Sequence, residues 1–466
     1  MNKVLIGIDP GLSGAIAVLV PIAYTIHDIP VLEVKAGKKT KRRRAVKQRI
    51  SMPISIRALL RGRAPGQLVI QLTDRCNARC PQCGMRTTEK FERATLSSDE
   101  VYRIIDAAAE KGVQAISFTG GEPMMLMPQL ADYIRRAGEL GIPYIRTGTN
   151  GFFFAGCDEK SNRMDRVRKI ADALADTPLR NFWISLDSAE PAVHEEMRGF
   201  PGVVAGIEAA LPEFHQRGLF PSVNLGINRN ISRETMAAGP LNGDPNGPER
   251  FYGMYREAFR AFYRRVIDMG FSIVNSCYPM SVEAGDELSA VYAATAADGV
   301  VRFSPAEKAA LFRALMDTIP EFRSRIRIFS PRTSLQALVR HYGGERGSEA
   351  YPCRGGIDFF FVDARDGGTY PCGYRGDQNL GKFWDVDLDS LDADAFCKAC
   401  DWECFRDPSE LFGPLLETFS APVRTARKLA GDGEFRRLWS EDLRYYRACE
   451  MFDGRRPMNP EKLARF

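Results

Sequence analysis

The chain has 466 residues, 44% of them hydrophobic and 26% charged, which is ordinary for a soluble globular protein of one large and one smaller domain, or of two to three domains. Its net charge of +5 is too small to demand nucleic acid as a partner. The 11 cysteines are odd in number and mostly clustered, with no convincing signal peptide ahead of them, so they read as metal ligands in a reducing compartment and not as a disulfide framework.

Residues 1–50 look foreign to the rest. The run Lys3-Val4-Leu5-Ile6-Gly7-Ile8-Asp9-Pro10-Gly11, continuing to Val18, reads as a strand followed by a turn, and His27-Asp28-Ile29-Pro30-Val31 follows it. Together residues 1–31 resemble the start of RuvC-type Holliday-junction resolvases. That resemblance implies a metal-holding role for Asp9. Two-metal nuclease chemistry needs several converging carboxylates, and no later segment supplies them, so the stretch is read as a non-functional remnant or a fusion. Residues 10–27 carry no charge, but Pro10, Pro21 and nearby glycines argue against a membrane span. Residues 35–49 form a basic run, read as a solvated linker, with a boundary near residue 51.

Residues 51–66 lead into Gln67–Thr73, a short β-type run. Immediately after it come Cys76, Cys80 and Cys83, spaced C-x3-C-x2-C. Thiolates are soft ligands for iron–sulfur clusters, copper(I) or zinc. A four-iron cubane usually takes four cysteines, so three would leave one iron open. From spacing alone, a zinc knuckle or three unrelated buried thiols stay open. Ser97 followed by Glu100 fits a capping box, and Val101, Ile104, Ile105 and Ala108 continue at helical spacing. The next strand, 114–119, ends in Gly120-Gly121-Glu122-Pro123, and Leu130, Tyr133, Ile134 and Ala137 repeat the helical pattern. Further strands are expected at 143–147, 182–187, 222–227 and 271–277, with helices between them. Alternation of strand and helix implies right-handed crossovers and a parallel sheet of six strands, with functional loops at the C-terminal strand ends. Phe251, Tyr255, Phe259 and Phe262 make an aromatic stripe, read as core-facing rather than as a substrate wall.

The cysteine loop after the first strand and GGEP after the second resemble the radical S-adenosylmethionine (radical SAM) superfamily. The resemblance implies a partial (β/α)6 TIM-like barrel. It implies a 4Fe–4S cluster on Cys76, Cys80 and Cys83 whose open iron binds the amino and carboxylate groups of S-adenosylmethionine. The GGEP backbone would meet the methionyl amine, with Glu122 fixing the loop or accepting from the amine. Without the resemblance, Glu122 is a surface carboxylate at a strand end. Thr149 and Asn150 end the third strand, where they suit ribose or plain turn chemistry. Ser185-Leu186-Asp187-Ser188, then His194 to Gly199, resemble the "SLDG … HDxxRG" signature of relatives with a C-terminal cluster domain. Ser185 is then a candidate for the methionyl carboxylate. Arg198 either binds that carboxylate or ties a helix to the barrel. His194 is read as a structural hydrogen-bonder. Gln82 departs from the pattern, since an aromatic residue usually precedes the third cysteine and packs near the adenine.

Downstream, Cys353, Gly367 and Cys372 give C-x13-G-x4-C, and Cys397, Cys400 and Cys404 give C-x2-C-x3-C. The first run resembles the opening of SPASM and twitch auxiliary-cluster domains, with 357–362 and 369–372 as arms of a hairpin. A full SPASM domain has seven cysteines, so five here suit one auxiliary 4Fe–4S cluster of the twitch kind. Cys353, Cys372, Cys397 and Cys400 are the chosen ligands and Cys404 the alternate; a zinc site is the competing reading. Cys157, Cys277 and Cys449 are read as small buried residues. The expected division is 1–50 fragment and linker, 51–300 radical SAM core, 301–350 linking helices, 351–406 auxiliary domain and 407–466 helical tail.

The resemblance implies an enzyme that reductively cleaves S-adenosylmethionine to a 5′-deoxyadenosyl radical, which takes hydrogen from a peptide or small-molecule substrate. A reductant such as flavodoxin or ferredoxin is the implied partner, in a cytoplasm, with neither nucleic acid nor membrane expected. The reading from another class is a non-catalytic iron–sulfur electron-transfer or sensing protein, against which the intact GGEP loop argues.

Overall fold

In the computed structural model, residues 5–9, 15–19, 62–63, 66–83, 92–157, 162–241, 246–279, 299–345, 351–391, 397–398 and 400–466 are described. The N-terminal strands β1 (Leu5–Asp9) and β2 (Ala15–Leu19) pair antiparallel as a two-stranded sheet of their own. Residues 27–31 and the basic run at 35–49 lie outside the described residues.

The core is one long sheet. In chain order its strands are β3 (Gln67–Thr73), β4 (Ala115–Gly120), β5 (Tyr144–Thr149), β6 (Asn181–Ser185), β7 (Ser222–Gly226), β8 (Ile273–Cys277), β9 (Arg327–Ile328), β10 (Phe359–Val362) and β11 (Thr369–Tyr370). Strands β3 to β9 lie side by side in sequence order and all run parallel. The six expected strands are therefore present, but the sheet has nine. At one edge β9 extends it. At the other, β10 pairs parallel with β3 and antiparallel with β11. The expected hairpin thus forms, and one arm is also a strand of the core sheet.

Strand β3 is buried along its whole length, as its run of large apolar residues requires for a parallel strand covered on both faces. The helix α1 (Ser98–Glu110) starts at Ser97, whose hydroxyl accepts the Glu100 N–H, and it buries Val101, Ile104, Ile105 and Ala108. The helix α2 (Met127–Glu139) buries Leu130, Tyr133, Ile134 and Ala137. These are the faces the helical spacing predicts. Phe251, Tyr255, Phe259 and Phe262 are all buried on one long helix (Gly247–Asp268), where Phe251 stacks on Tyr255 and meets Phe303 edge-on. They belong to the hydrophobic core and not to the lining of the cavity at the strand ends.

The C-terminal helices are not a loose tail. The guanidinium of Arg323 is buried against Asp442 at 2.5 Å, and Arg327 of β9 donates to the carbonyls of Asp453 and Arg456. Each ties the last sixty or so residues to the edge of the sheet. Among the described residues no helix is long and apolar enough to cross a membrane.

Candidate active site

The C-terminal ends of β3 to β8 and the start of the helix Glu403–Ser420 surround a cavity of about 630 Å³. Cys76, Cys80 and Cys83 line one end of it. So do Gly120, Gly121, Glu122, Pro123, Thr149, Asn150, Ser185 and Arg198. Residues spread over more than a hundred positions of sequence therefore meet at one place, as ligand sites on parallel sheets do.

The two glycines of GGEP act first on the protein itself. A Cβ on Gly120 would stand 2.3 Å from the Thr73 carbonyl oxygen, and one on Gly121 would stand 2.1 Å from that of Arg75. Gly120 also has φ +152, a conformation that L side chains rarely adopt. The close approach is used: Gly121 N–H donates to Thr73 O at 2.7 Å, and Glu122 N–H donates to Arg75 O at 3.0 Å. The second strand end is thereby clamped onto the cysteine loop.

Glu122 is not a surface carboxylate. It is fully buried, and its two oxygens accept the N–H groups of Met124 at 3.0 Å and Asn150 at 2.7 Å. Burial pushes its carboxyl up to about 7, against the pull of those two donors. Thr149 Oγ1 accepts the Gly151 N–H at 3.0 Å, and Asn150 Oδ1 accepts the Phe152 N–H at 3.0 Å. Both residues therefore perform turn chemistry. The amide of Asn150 does more, donating to Asn77 Oδ1 at 2.9 Å and approaching Cys76 Sγ at 3.6 Å.

Asp187 sits at the hub of the fourth strand end. Arg198 grips it through two bonds of 2.6 and 2.8 Å, and Gln82 donates to it at 2.9 Å. Burial works to raise the Asp187 carboxyl, but Arg198 outweighs it and holds the group well below the usual carboxylate range. Arg198 thus ties its helix (Pro191–Arg198) to the barrel while still lining the cavity. His194 is fully buried, and its Nδ1 accepts the Asp187 N–H at 3.1 Å. Gln82, which replaces the usual aromatic residue, links the cysteine loop to this hub.

The fit of these residues to an iron–sulfur cluster rests on the thiols. Burial pushes Cys80 up to about 12, with Arg198 opposing and the neighbouring thiols adding to the rise. A coordinating metal would deprotonate it outright. Among the described residues no three His, Cys, Asp or Glu are gathered closely enough to share one ion. Three cysteines lining the cavity supply three soft ligands and leave a fourth position open.

The C-terminal cysteines divide. The backbone N–H of Cys353 donates to the Cys397 carbonyl at 2.8 Å. Cys353, Cys372, Cys397 and Cys400 lie close enough for their charges to act on one another. Cys404 is elsewhere: it lines the cavity with Cys277 and Glu403. Cys277, expected as a small buried residue, ends β8 at the cavity wall. Cys157 and Cys449 are buried away from it.

Several cavity residues escape sequence reasoning: Gln67, Trp183, Asn224, Phe361, Trp402 and Glu403. Trp183 lies flat over Gly148, where a Cβ would come within 2.1 Å of its ring, and the Arg146 guanidinium is 4.5 Å from the ring centre. Glu403 accepts the Tyr278 N–H at 3.2 Å, and Asp407, one turn on, accepts the Tyr278 hydroxyl at 3.1 Å. The parity of the strands points Gln67, Val69, Asn224 and Gly226 to one face. Glu403 gives no such signal inside a cysteine-rich run.

Comparison with known proteins bears on the same region. Residues 70–230 match the family model described as Radical SAM superfamily. A GTP 3′,8-cyclase of Limosilactobacillus fermentum is 36% identical over 131 residues, 28% of this chain and 35% of that protein. The chain thus spans about a third of the length of that relative. An AdoMet-dependent heme synthase of Methanosarcina barkeri is 22% identical over 361 residues, 75% of this chain and 87% of the relative. The crystal structure of Streptococcus suis SuiB bound to S-adenosylmethionine superposes with a TM-score of 0.47 at 16% identity, covering 69% of this chain and 64% of that one. The matched segment contains the cysteine loop, the GGEP turn and the Asp187 hub, and radical SAM superfamily is the assignment that the family comparison supports.

Proposed function

We propose that the protein is a radical SAM enzyme with a second, auxiliary 4Fe–4S cluster. The observation that carries this is the meeting of the cysteine triad, the GGEP turn, Ser185 and Arg198 around one cavity. Cys76, Cys80 and Cys83 would hold the first cluster, which when bound supplies the electron that cleaves S-adenosylmethionine to methionine and a 5′-deoxyadenosyl radical. The chain's own part is placement. The loop from Gly120 to Pro123 presents its backbone to the methionyl amine, kept in position by buried Glu122. Ser185 and the exposed edge of Arg198 face the methionyl carboxylate. Burying these groups together keeps water from the reacting atoms.

Cys353, Cys372, Cys397 and Cys400 would hold the auxiliary cluster, four thiols that already neighbour one another. Such a full set of protein ligands favours electron transfer over direct substrate binding. A flavodoxin or ferredoxin in a cytoplasm would deliver the first electron. Relatives named for GTP and for heme differ too much in chemistry for their names to select a substrate.

Anaerobic reconstitution tests the reading. About eight irons per chain, and 5′-deoxyadenosine on adding dithionite and S-adenosylmethionine, are expected. About four irons with zinc would replace the auxiliary cluster by a structural metal. Ample iron and no 5′-deoxyadenosine, with several reductants and candidate substrates, would leave an electron-transfer or sensing protein. Deleting residues 1–50 should alter neither cleavage nor DNA affinity; a loss of DNA affinity would revive a role for the RuvC-like start.

A further inference from the structure

The wall of the cavity made by β3, β7, β8 and the start of the helix Glu403–Ser420 is not used by the cluster or by S-adenosylmethionine in the reading above. Glu403 is its acidic member, and burial pushes its carboxyl up to about 8. It is 1% exposed yet lines the cavity, and its close neighbours are the Tyr278 N–H, the thiols of Cys277 and Cys404 and the Asp407 carboxylate, whose charge adds to the rise. Among the described residues it makes no ion pair. Other acids on the same helix differ: Glu410 meets Lys428 at 3.1 Å and Glu417 meets Arg424 at 2.6 Å. A carboxylate held out of water without a cation is costly, and a cation arriving with a ligand removes that cost.

Two further groups point to the same kind of ligand. Gln67 and Asn224 line the cavity at 1% and 5% exposure, and Gln67 Oε1 and Asn224 Oδ1 have no hydrogen-bond partner. Both orphans are acceptors, as is Glu403. Buried acceptors without donors are rare in folded proteins and ask for a ligand that brings N–H groups. Trp183, Trp402 and Phe361 complete the lining with apolar faces. Aromatic faces suit an aliphatic stem and attract a cation. Arg146 does not line the cavity, although its charge reaches the Cys277 and Cys404 thiols beside Glu403. A phosphate would meet a carboxylate and two acceptors here, which is repulsive.

We propose that this wall takes a small substrate through a protonated amine, paired with Glu403 and hydrogen-bonded by Gln67 and Asn224. The inference rests on the radical SAM reading for calling that ligand the substrate. The amine preference itself depends only on the wall.

The test uses a matched pair of probes, n-butylammonium and n-butanol, titrated anaerobically into reconstituted protein with S-adenosylmethionine present. Quenching of tryptophan fluorescence reports occupancy beside Trp183 and Trp402. The native protein should bind the ammonium at least about tenfold more tightly than the alcohol, the scale of one desolvated charge pair. Equal affinities would overturn the proposal. In Glu403→Gln the preference should fall to within about twofold, and a preference kept there would also overturn it. If that variant does not fold, the native comparison still decides. Formation of 5′-deoxyadenosine in the same native sample is scored separately: its absence strikes the radical reading and leaves the probe result standing.

Discussion

Cys76, Cys80 and Cys83 stand with one side against a cavity of about 630 Å³, while Cys353, Cys372, Cys397 and Cys400 line none of it and have one another as neighbours. Both groups carry short cysteine spacings, yet their surroundings differ in kind. The first group borders open space, and the second does not line that cavity. The thiols themselves do not separate the two groups, since burial raises both Cys80 and Cys372 to about 12; their surroundings do. Cys404 shows the same lesson in one residue: four positions from Cys400, it lines the cavity beside Glu403.

The sharpest way to break this contrast is to remove one thiol from each group. Cys80→Ala should lower 5′-deoxyadenosine formation at least about a hundredfold and reduce iron from about eight to about four. Cys372→Ala should lose a similar amount of iron while S-adenosylmethionine cleavage persists. Iron and sulfide assays with product chromatography read both. Equal loss of cleavage in the two variants would mean that the groups are one functional unit.

A second test concerns the clamp between GGEP and the cysteine loop. In Gly121→Ala the new methyl group would meet backbone, the carbonyl oxygen of Arg75, with no flexible side chain to give way. The expected cost is about 3 kcal/mol or more of stability, the range for a strained backbone site, read by denaturant unfolding. A neutral result would show that the two loops are not held together in solution.

Much of this was legible before any coordinates. Strands β3 to β8 are short buried parallel strands, legible from β-type runs alternating with helical patterns although Arg146, Asn181 and Asn224 interrupt them. The cysteine loop and GGEP stand out because thiols and paired glycines at strand ends have few purely structural uses. Strands β9 and β11 are two residues long and carry no periodicity to read. The pairing of β10 with β3 joins segments nearly three hundred residues apart, which no local pattern encodes. In the site, a motif could suggest that Glu122 fixes a loop but not that it is fully buried. Glu403 carries no local signal of its own, since Cys400 and Cys404 on either side point to metal ligation.

Glu122 makes the buried half of the comparison testable by pH. Its carboxyl is raised from 4.5 to about 7 by burial, so the folded protein holds that proton more tightly than the unfolded chain. Stability from this group is therefore greatest below the unfolded value, falls as pH rises toward about 7, and is flat beyond. Over that window the loss amounts to about 3 kcal/mol at most. Glu122→Gln cannot titrate, so urea unfolding midpoints should lose this slope between about pH 5 and 7. An unchanged slope would assign the titration to another group.

The smallest expected effect separates the cysteine loop from its hub. Gln82 donates one neutral-to-charged hydrogen bond to Asp187, which keeps both bonds from Arg198 when Gln82 is lost. Gln82→Leu should thus cost only about 1.5 kcal/mol in stability. Its consequence belongs to the loop, since this bond joins the segment between Cys80 and Cys83 to the β6 end. Iron should leave Gln82→Leu a few times faster under a chelator, with the iron of the second group lost at its native rate, because only the loop's opening equilibrium has moved. Gln82→Glu sharpens the same point. It sets a carboxylate against Asp187 at the same place and should release iron faster still, while Leu merely loses a bond. Identical release rates in all three proteins would show that the loop is held by its backbone clamp to Gly121 and Glu122 alone, and that the departure from an aromatic residue at this position has no mechanical role.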